Sequence, residues 1–551
     1  MLKAHKRAGG EGIFGFRKKK ESGGTLRVKS DLPVRDNEAS QEQVFSQQLQ
    51  KNLHMLASLF QEAQDFTIRE FDCFGKFPAC VMYLSSLVDK EIIATHVVKP
   101  LMYEPSHLKG QQESFQHAKR LIRQVLFDAD GKTEDRIARA LDQLLRGSAV
   151  ILIDEMNEAI IVNVQKVEKR GIEQPKSEQV IRGPREGFIE NLQTNIALLR
   201  VRIPSVDLKI KYLELGAITK SQVAVVFMEG ICEPRLIQDI EERLQAIQID
   251  RILDAGYIEQ FIQDNPRSPF PQIRSTERPD VAVGNLLEGR VAILVNGSPY
   301  ALICPTTFAM FYQTAEDYTE RTLIMSLTRM VRVIALLFSL ITPSLYIAIL
   351  SFHPELIPTK FAIAVASGRA GVPFPTFFEV FMMEAAVEIL REATVRMPQQ
   401  IGGALSIVGV LVIGQAAVMA GFVSPITVVV IALTTISSFA TPAYNAAMAF
   451  RMLRFPIMLA TGTLGFFGLI GALYLVNNHL ISLKSFGVPF FSPFSPMNFG
   501  ELKDTIIRAP LKYLLDRPEE LHPQNQRRLN AYAKDLPNNP LDPPMKAGDR
   551  P

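Results

Sequence analysis

The chain has no tryptophan, only four cysteines and eight histidines among its 551 residues, and almost no excess of charge of either sign. Cys73, Cys80, Cys232 and Cys304 lack the short paired spacing that a zinc site or a redox dithiol requires, so they read as buried free thiols. The histidines form no HExxH pair, and neither a GxxxxGK[ST] loop nor a GxSxG elbow is present; no enzymatic activity, cofactor or metal site is expected. Sixty bases against 57 acids leave +3, too little for a nucleic-acid partner, and no basic patch carries interleaved aromatics. The first 24 residues are basic and glycine-rich and lack the apolar core of about 7–15 residues that a secretory signal needs, which places the following domain on the cytoplasmic side.

The most informative absence is local. From Met397 to Phe450 the chain has no Asp, Glu, Lys or Arg. A bilayer core of about 30 Å takes about 20 apolar residues in a helix, so this run suits two passes, with a break at Ser424-Pro425. Val333 to Phe352 and Phe455 to Val476 are further candidates. The mean hydropathy of +0.10, with 47% hydrophobic and 21% charged residues, averages over a charged N-terminal part and an apolar C-terminal part. The stretch Thr376 to Arg396 has helical periodicity but carries charges, so the count is four spans if it lies at the interface and five if it crosses. Four spans return the tail to the side of the N-terminal domain. Arg329 and Arg332 place the start of the first pass on the cytoplasmic side.

Ahead of the membrane part, residues 1–50 read as a flexible basic leader. Residues 51–200 and 201–318 read as two α/β subdomains. Ala79 to Leu84, Ser148 to Ile153, Ala159 to Val164, Val206 to Ile210 and Gln222 to Met228 are strand candidates, and Leu236 to Leu253 is a helix candidate. Arg290 to Val295 and Tyr300 to Ile303, joined by Asn296-Gly297, predict a hairpin. Residues 319–480 form the transmembrane helical domain and 481–551 a polar, proline-rich tail. The fold class is therefore an α/β soluble domain of two subdomains followed by an α-helical multi-pass membrane domain of four to five spans.

In a helix expected from about Ile426 to Phe450, Thr427, Thr434, Ser438, Thr441 and Asn445 fall within about 60° of one another and form a polar stripe, available to helix packing or to a water-lined path. A glycine-bearing helix from Ile401 to Val423 has Gln415 as its only amide; Val412 and Val418 on it are candidate pore-lining residues that gate by dewetting. Glu384, Glu388 and Glu392 fall within one third of a helix circumference and are candidate ion-attracting acids, the alternative being i,i+4 pairing with Arg391 and Arg396 on an interfacial helix. Gly462, Gly465, Gly468 and Gly471, at intervals of three, predict a packing surface.

Several segments taken in order carry a resemblance: Arg182-Gly-Pro-x-Glu-Gly-Phe188, Ser268-Pro-Phe-Pro-Gln272, Glu277-Arg-Pro-Asp280, Leu286-Leu-Glu-Gly-Arg-Val-Ala-Ile293, Glu316-Asp-Tyr318, Val372-Pro-Phe-Pro375, Glu388-Ile-Leu-Arg-Glu-Ala393, Ile413-Gly-Gln-Ala-Ala417 and Arg451-Met-Leu-Arg-Phe455. The set, spanning about residues 60 to 500, resembles the A subunits of GerA-type nutrient germinant receptors of bacterial spores. Asn296 stands where that family is expected to have Asp; both suit the turn. The resemblance implies a spore inner-membrane subunit that works with a transporter-like B subunit and a lipoprotein C subunit, and that oligomerises into a ring releasing monovalent cations. Two other readings stand beside it: a secondary transporter using Glu384 or Glu388, and a membrane-anchored scaffold without conduction of its own.

Overall fold

The structure, a computed structural model, describes residues 43–103, 131–166, 182–396 and 414–528, together with 126, 174–175, 178 and 180. Most of the expected leader, Val412 and the end of the tail lie outside the described residues.

Runs of β-branched and aliphatic residues bounded by polar turns build two five-stranded antiparallel sheets. The first contains β1 (Phe66–Cys73), β2 (Phe77–Leu84), β3 (Lys132–Glu134), β4 (Ser148–Ile153) and β5 (Ala159–Asn163), in the order β1-β2-β4-β5-β3. The second contains β6 (Leu208–Leu215), β7 (Ser221–Met228), β8 (Arg274–Thr276), β9 (Val291–Val295) and β10 (Ala301–Cys304), in the order β6-β7-β9-β10-β8. The two orders are the same pattern, so the subdomains repeat one topology. In each, two hairpins pair through their inner strands, as Val81 opposite Ile151 and Val225 opposite Ile293 show. These central strands are buried, giving continuous apolar runs instead of alternation. Gly297 takes φ 92° in the β9–β10 turn, a left-handed conformation that glycine adopts at no steric cost.

Helices α1 (Leu49–Leu59) and α2 (Ile137–Leu145) cover the first sheet, and α3 (Leu192–Arg202), α4 (Pro234–Gln245), α5 (Ala255–Ile262) and α6 (Pro279–Glu288) cover the second. Arg200 on α3 and Asp65 ahead of β1 form a fully buried bidentate pair at 2.7 and 2.9 Å that joins the subdomains. Helix α4 stops eight residues short of the expected end. The carbonyls of Ile249 and Asp250 are taken by the amides of Ala217 and Ile218, each at 2.8 Å, so that stretch cannot close helical hydrogen bonds.

The C-terminal half is a helical bundle of α7 (Thr322–Phe352), α8 (Thr359–Arg369), α9 (Thr376–Val395), α10 (Pro425–Phe439) and α11 (Tyr444–Ser482). Among the described residues, α7 and α11 are the two helices long and apolar enough to cross a membrane. The expected first pass occupies the distal part of α7. Helix α11 is not one straight rod: Gly465 has φ 59°, ψ −138°, and the ring of Phe270 contacts both Phe450 and His479. Twenty-nine helical residues would otherwise separate those two side chains by about 43 Å, so α11 folds into two antiparallel arms. A Cβ at Gly465 would stand 2.8 Å from the Phe352 ring, and one at Gly462 would stand 2.5 Å from Phe377. A Cβ at Gly468 would collide with the carbonyl oxygen of Ala460 on the other arm, so three of the four spaced glycines do form a packing surface.

Two expectations need correction. The helix from Ile426 to Phe450 is interrupted at 440–443, where Pro442 removes an amide and disfavours helical backbone at Thr441; Asn445 belongs to α11, and the polar stripe does not run unbroken. The segment from Leu483 to Arg528, expected as a tail, folds back onto subdomain 2. Phe308 N donates to Phe490 O at 2.7 Å, Ser485 Oγ to Gln272 O at 2.7 Å, Arg517 Nε to Leu287 O at 2.6 Å and Gln524 N to Ile231 O at 3.0 Å. The chain thus enters the bundle at α7 and leaves it at α11 on the same face, against the same subdomain.

Candidate functional site

Helix α9 carries the densest charge in the bundle. Its start is seated by Phe377 against Gly462 and by Phe381 edge-on to Phe455, and its first turns bury Val380 and Met383. This antiparallel seating against the first arm of α11 brings positions four apart on one helix opposite positions three apart on the other. Glu384 meets Arg454, and Glu388 meets Arg451 at 3.6 Å. The side chains of Glu384 and Arg454 are each 3% exposed. Glu392 is exposed and pairs with Arg396 at 2.6 Å, the i,i+4 arrangement weighed from the sequence. Arg391 Nη2 donates to Ser438 Oγ at 3.0 Å, and the Arg391 guanidinium carbon lies 4.7 Å from the centre of the Phe439 ring.

Three acids thus face four arginines along this seam, and each candidate acid has a basic partner in the single chain. Burying an ion pair costs more hydration than the attraction returns unless the remaining polar atoms are satisfied. Here Glu384 Oε1, Arg454 Nε and Nη2, and Arg451 Nε have no partner. The seam is held together because removal of either charge strands the other, not because the pairs are strongly net favourable.

A second polar knot closes the other end of the bundle. Glu379 is fully buried; it receives Arg369 Nη2 at 2.9 Å, the amide of Ser424 at 3.0 Å and Thr427 Oγ1 at 3.0 Å, and Tyr346 OH lies 3.1 Å from Thr427. A carboxylate at the first turn of α10 also meets the positive end of that helix. Thr434 bonds back to Val430 O at 2.8 Å, and Thr441 is buried. Asn445 is exposed and reaches Ser275 of subdomain 2 at 3.3 Å. Gln415 is exposed and Val418 half-buried on the short helical piece that precedes Ser424.

The third cluster joins the bundle to the soluble domain. Arg329, fully buried, donates to Asp317 Oδ2 and Asp504 Oδ1, each at 3.0 Å, and Arg332 donates to Asp317 Oδ1 at 2.8 Å. Tyr318 OH donates to Asp504 Oδ2 at 2.7 Å. Burial lifts the Asp504 carboxyl above its ordinary range despite Arg329, and burial holds the Tyr318 phenol well above its own. One cluster therefore ties together the end of subdomain 2, the first helix of the bundle and the C-terminal segment. Arg329 and Arg332, read from the sequence as marking the cytoplasmic start of the first pass, also serve as structural cations.

The acids were visible in the sequence, but Arg451 and Arg454, their partners some 60 to 70 positions away, were not read with them. The signal was an Arg-x-x-Arg pair beside an otherwise uncharged run. Glu379 was missed because it lies outside the arc shared by the other acids of α9.

The family model described as Bacillus/Clostridium GerA spore germination protein matches residues 54–520. Spore germination protein KA of Bacillus subtilis is 41% identical over 490 residues, covering 88% of this chain and 89% of that protein. Spore germination protein GerLA of Bacillus cereus is 40% identical, covering 83% and 92%, and spore germination protein A1 of Bacillus subtilis is 33% identical, covering 88% and 97%. Among solved structures, the N-terminal domain of the A subunit of the Bacillus megaterium spore germinant receptor GerK3 is 31% identical and covers 48% of this chain and 98% of that one, with a TM-score of 0.39. The chain belongs to the GerA spore germination family.

Proposed function

Proceeding from that membership, we propose that the chain is the A subunit of a nutrient germinant receptor, a non-enzymatic multi-pass protein of the spore inner membrane with its soluble domain on the core side. It works with a transporter-like B subunit and a lipoprotein C subunit, and copies of it gather around a water path that releases cations. The observation that carries the membrane reading is a bundle turned inside out relative to a soluble protein: Leu464, Phe467, Ile470 and Leu475 are exposed while Glu379, Glu384, Arg451 and Arg454 are buried. Ionisable groups at bilayer depth face the bundle interior and pair with one another. Entry and exit on one face support an even number of traversals in this reading.

The pairing of the α9 acids shifts the pore-lining assignment toward the uncharged turn bearing Gln415 and Val418, where an apolar constriction gates by dewetting. Glu388, 40% exposed and loosely paired, is the acid of α9 best placed to meet a passing cation. The test is potassium flux from liposomes holding the purified chain, with oligomerisation checked by cross-linking. Flux that rises in Val418→Ala is expected; no flux from a confirmed oligomer overturns conduction. Restoration of germination by the soluble domain alone in a deletion strain would leave a scaffold instead.

A further inference from the structure

The first turns of α7 and the segment that returns from α11 carry an apolar surface that packing within the chain does not use. Leu323, Ile324, Leu327 and Val331 recur at the spacing of one helix face, and each is more than half exposed, Leu323 at 86%. Ile507 and Leu511 of the returning segment are more than half exposed as well. Hydrogen bonds hold the two pieces side by side. Arg508 N donates to Ser326 Oγ at 3.1 Å, and Arg508 Nη1 donates to Glu320 O at 3.0 Å. Arg508 is buried and Asp504 is spent on Arg329 and Tyr318, so the polar groups that dock the segment turn inward and leave Ile507 and Leu511 outside.

The place of this surface follows from the length of α7. Its 31 residues span about 46 Å, the thickness of a bilayer with both headgroup layers (about 40–45 Å) and well beyond the hydrocarbon core of about 30 Å. Phe352 packs on Gly465 at the far turn of α11, so the surplus length lies at the start of α7. The exposed stripe also continues along α7 through Ile334, Leu337 and Phe338, which face acyl chains in the membrane reading. Around its near end the exposed charges are cations: Arg321 just before α7, Lys484 two residues beyond α11 and Lys503 on the returning segment. The acids there are held, Asp317 and Asp504 by Arg329 and Glu320 by Arg182.

We propose, resting on the reading of the bundle as a membrane domain, that the start of α7 and the segment Lys503–Leu511 form an interfacial foot on the lipid surface beside the soluble domain. Ile507, Leu511, Leu323 and Leu327 enter the boundary between headgroups and acyl chains, and Arg321, Lys484 and Lys503 meet anionic headgroups. Aliphatic side chains rimmed by lysine and arginine suit that layer, where the apolar part leaves water and the cations stay in it. The returning segment is then a lipid contact of the receptor and not a solvated tail.

The chain lacks tryptophan, so Ile507→Trp supplies a single fluorophore in the full-length protein. In nanodiscs of phosphatidylcholine and phosphatidylglycerol its emission should be blue-shifted, shielded from acrylamide, and quenched more by lipids brominated near the carbonyl end of the acyl chain than by lipids brominated near the methyl end. Leu475→Trp, exposed near the middle of the second arm of α11, should show the reverse preference. Loss of bromine quenching at Leu475→Trp would sink the membrane reading itself. Quenching there beside an Ile507→Trp that responds to acrylamide and to neither bromine overturns the foot alone. Shielding of Ile507→Trp from acrylamide without bromine quenching also overturns it and assigns the surface to a second copy or another protein. Leu511→Trp repeats the measurement should thermal melts show Ile507→Trp to be misfolded. Omitting phosphatidylglycerol, or replacing Arg321, Lys484 and Lys503 together by Gln, should weaken the shallow quenching; unchanged quenching in both overturns the contact with anionic headgroups.

Discussion

Replacing Arg454 by methionine tests the charge seam most directly. The long apolar side chain fills nearly the same volume, so the loss is chiefly of the cation, and Glu384 is left buried with Glu388 one turn away. Breaking a buried pair by removing one partner costs about 3–5 kcal/mol. The bundle from Thr322 to Ser482 has 161 residues, for which each kcal/mol moves the melting temperature by about 2–4 °C; the variant should melt about 6–20 °C lower. Adding Glu384→Gln should restore most of the loss, because the native pair leaves Glu384 Oε1 and two Arg454 nitrogens unsatisfied and so has little net stability to forfeit. Melting of the wild type, both single variants and the double variant, followed by far-ultraviolet circular dichroism in one detergent, completes the cycle. A double variant as unstable as Arg454→Met alone would refute the stranded-charge argument, and so would a single variant that melts within about 2 °C of wild type.

Three further outcomes follow from other parts of the structure. Glu259 has a folded-state pKa raised from 4.5 to about 7, so the folded state holds its proton more tightly than the unfolded chain and stability falls as pH rises between those values; Glu259→Gln should be more stable than wild type at pH 8, by at most about 3 kcal/mol, and no different at pH 4 by thermal melting. Gly465→Ala places a side chain at φ 59°, ψ −138° and 2.8 Å from Phe352, which should cost about 2–4 kcal/mol in the same melt, whereas Gly471→Ala, with nothing within 4 Å, should be neutral or slightly stabilising. Asp504→Ala leaves Arg329 and Arg332 sharing Asp317, a loss of about 2–3 kcal/mol that a thiol-reactive dye should report as earlier exposure of the four buried cysteines.

The parts of this molecule legible in its sequence are those whose cause is local. The β4–β5 and β9–β10 hairpins appeared where predicted because a β-branched run and an Asn-Gly turn act over a few residues. The break at Ser424-Pro425 was equally readable, since proline restricts the backbone on its own account. Pro442 had the same meaning and was overridden by an apolar periodicity that continued through it. The duplicated sheet order was not readable, because a topological repeat needs only matching patterns of pairing and leaves the side chains free to diverge.

What escaped the sequence is what depends on distant partners, and this is where the functional argument lies. Glu384, Glu388 and Glu392 on one arc of a helix look like free acids until the antiparallel arm of α11 supplies Arg454 and Arg451. The polarity of Leu483 to Arg528 looks like a solvated tail until Asp504 is needed to balance Arg329. Both cases share one logic: a charge near apolar surface is costly alone, so its presence in the sequence implies a counter-charge that folding must deliver.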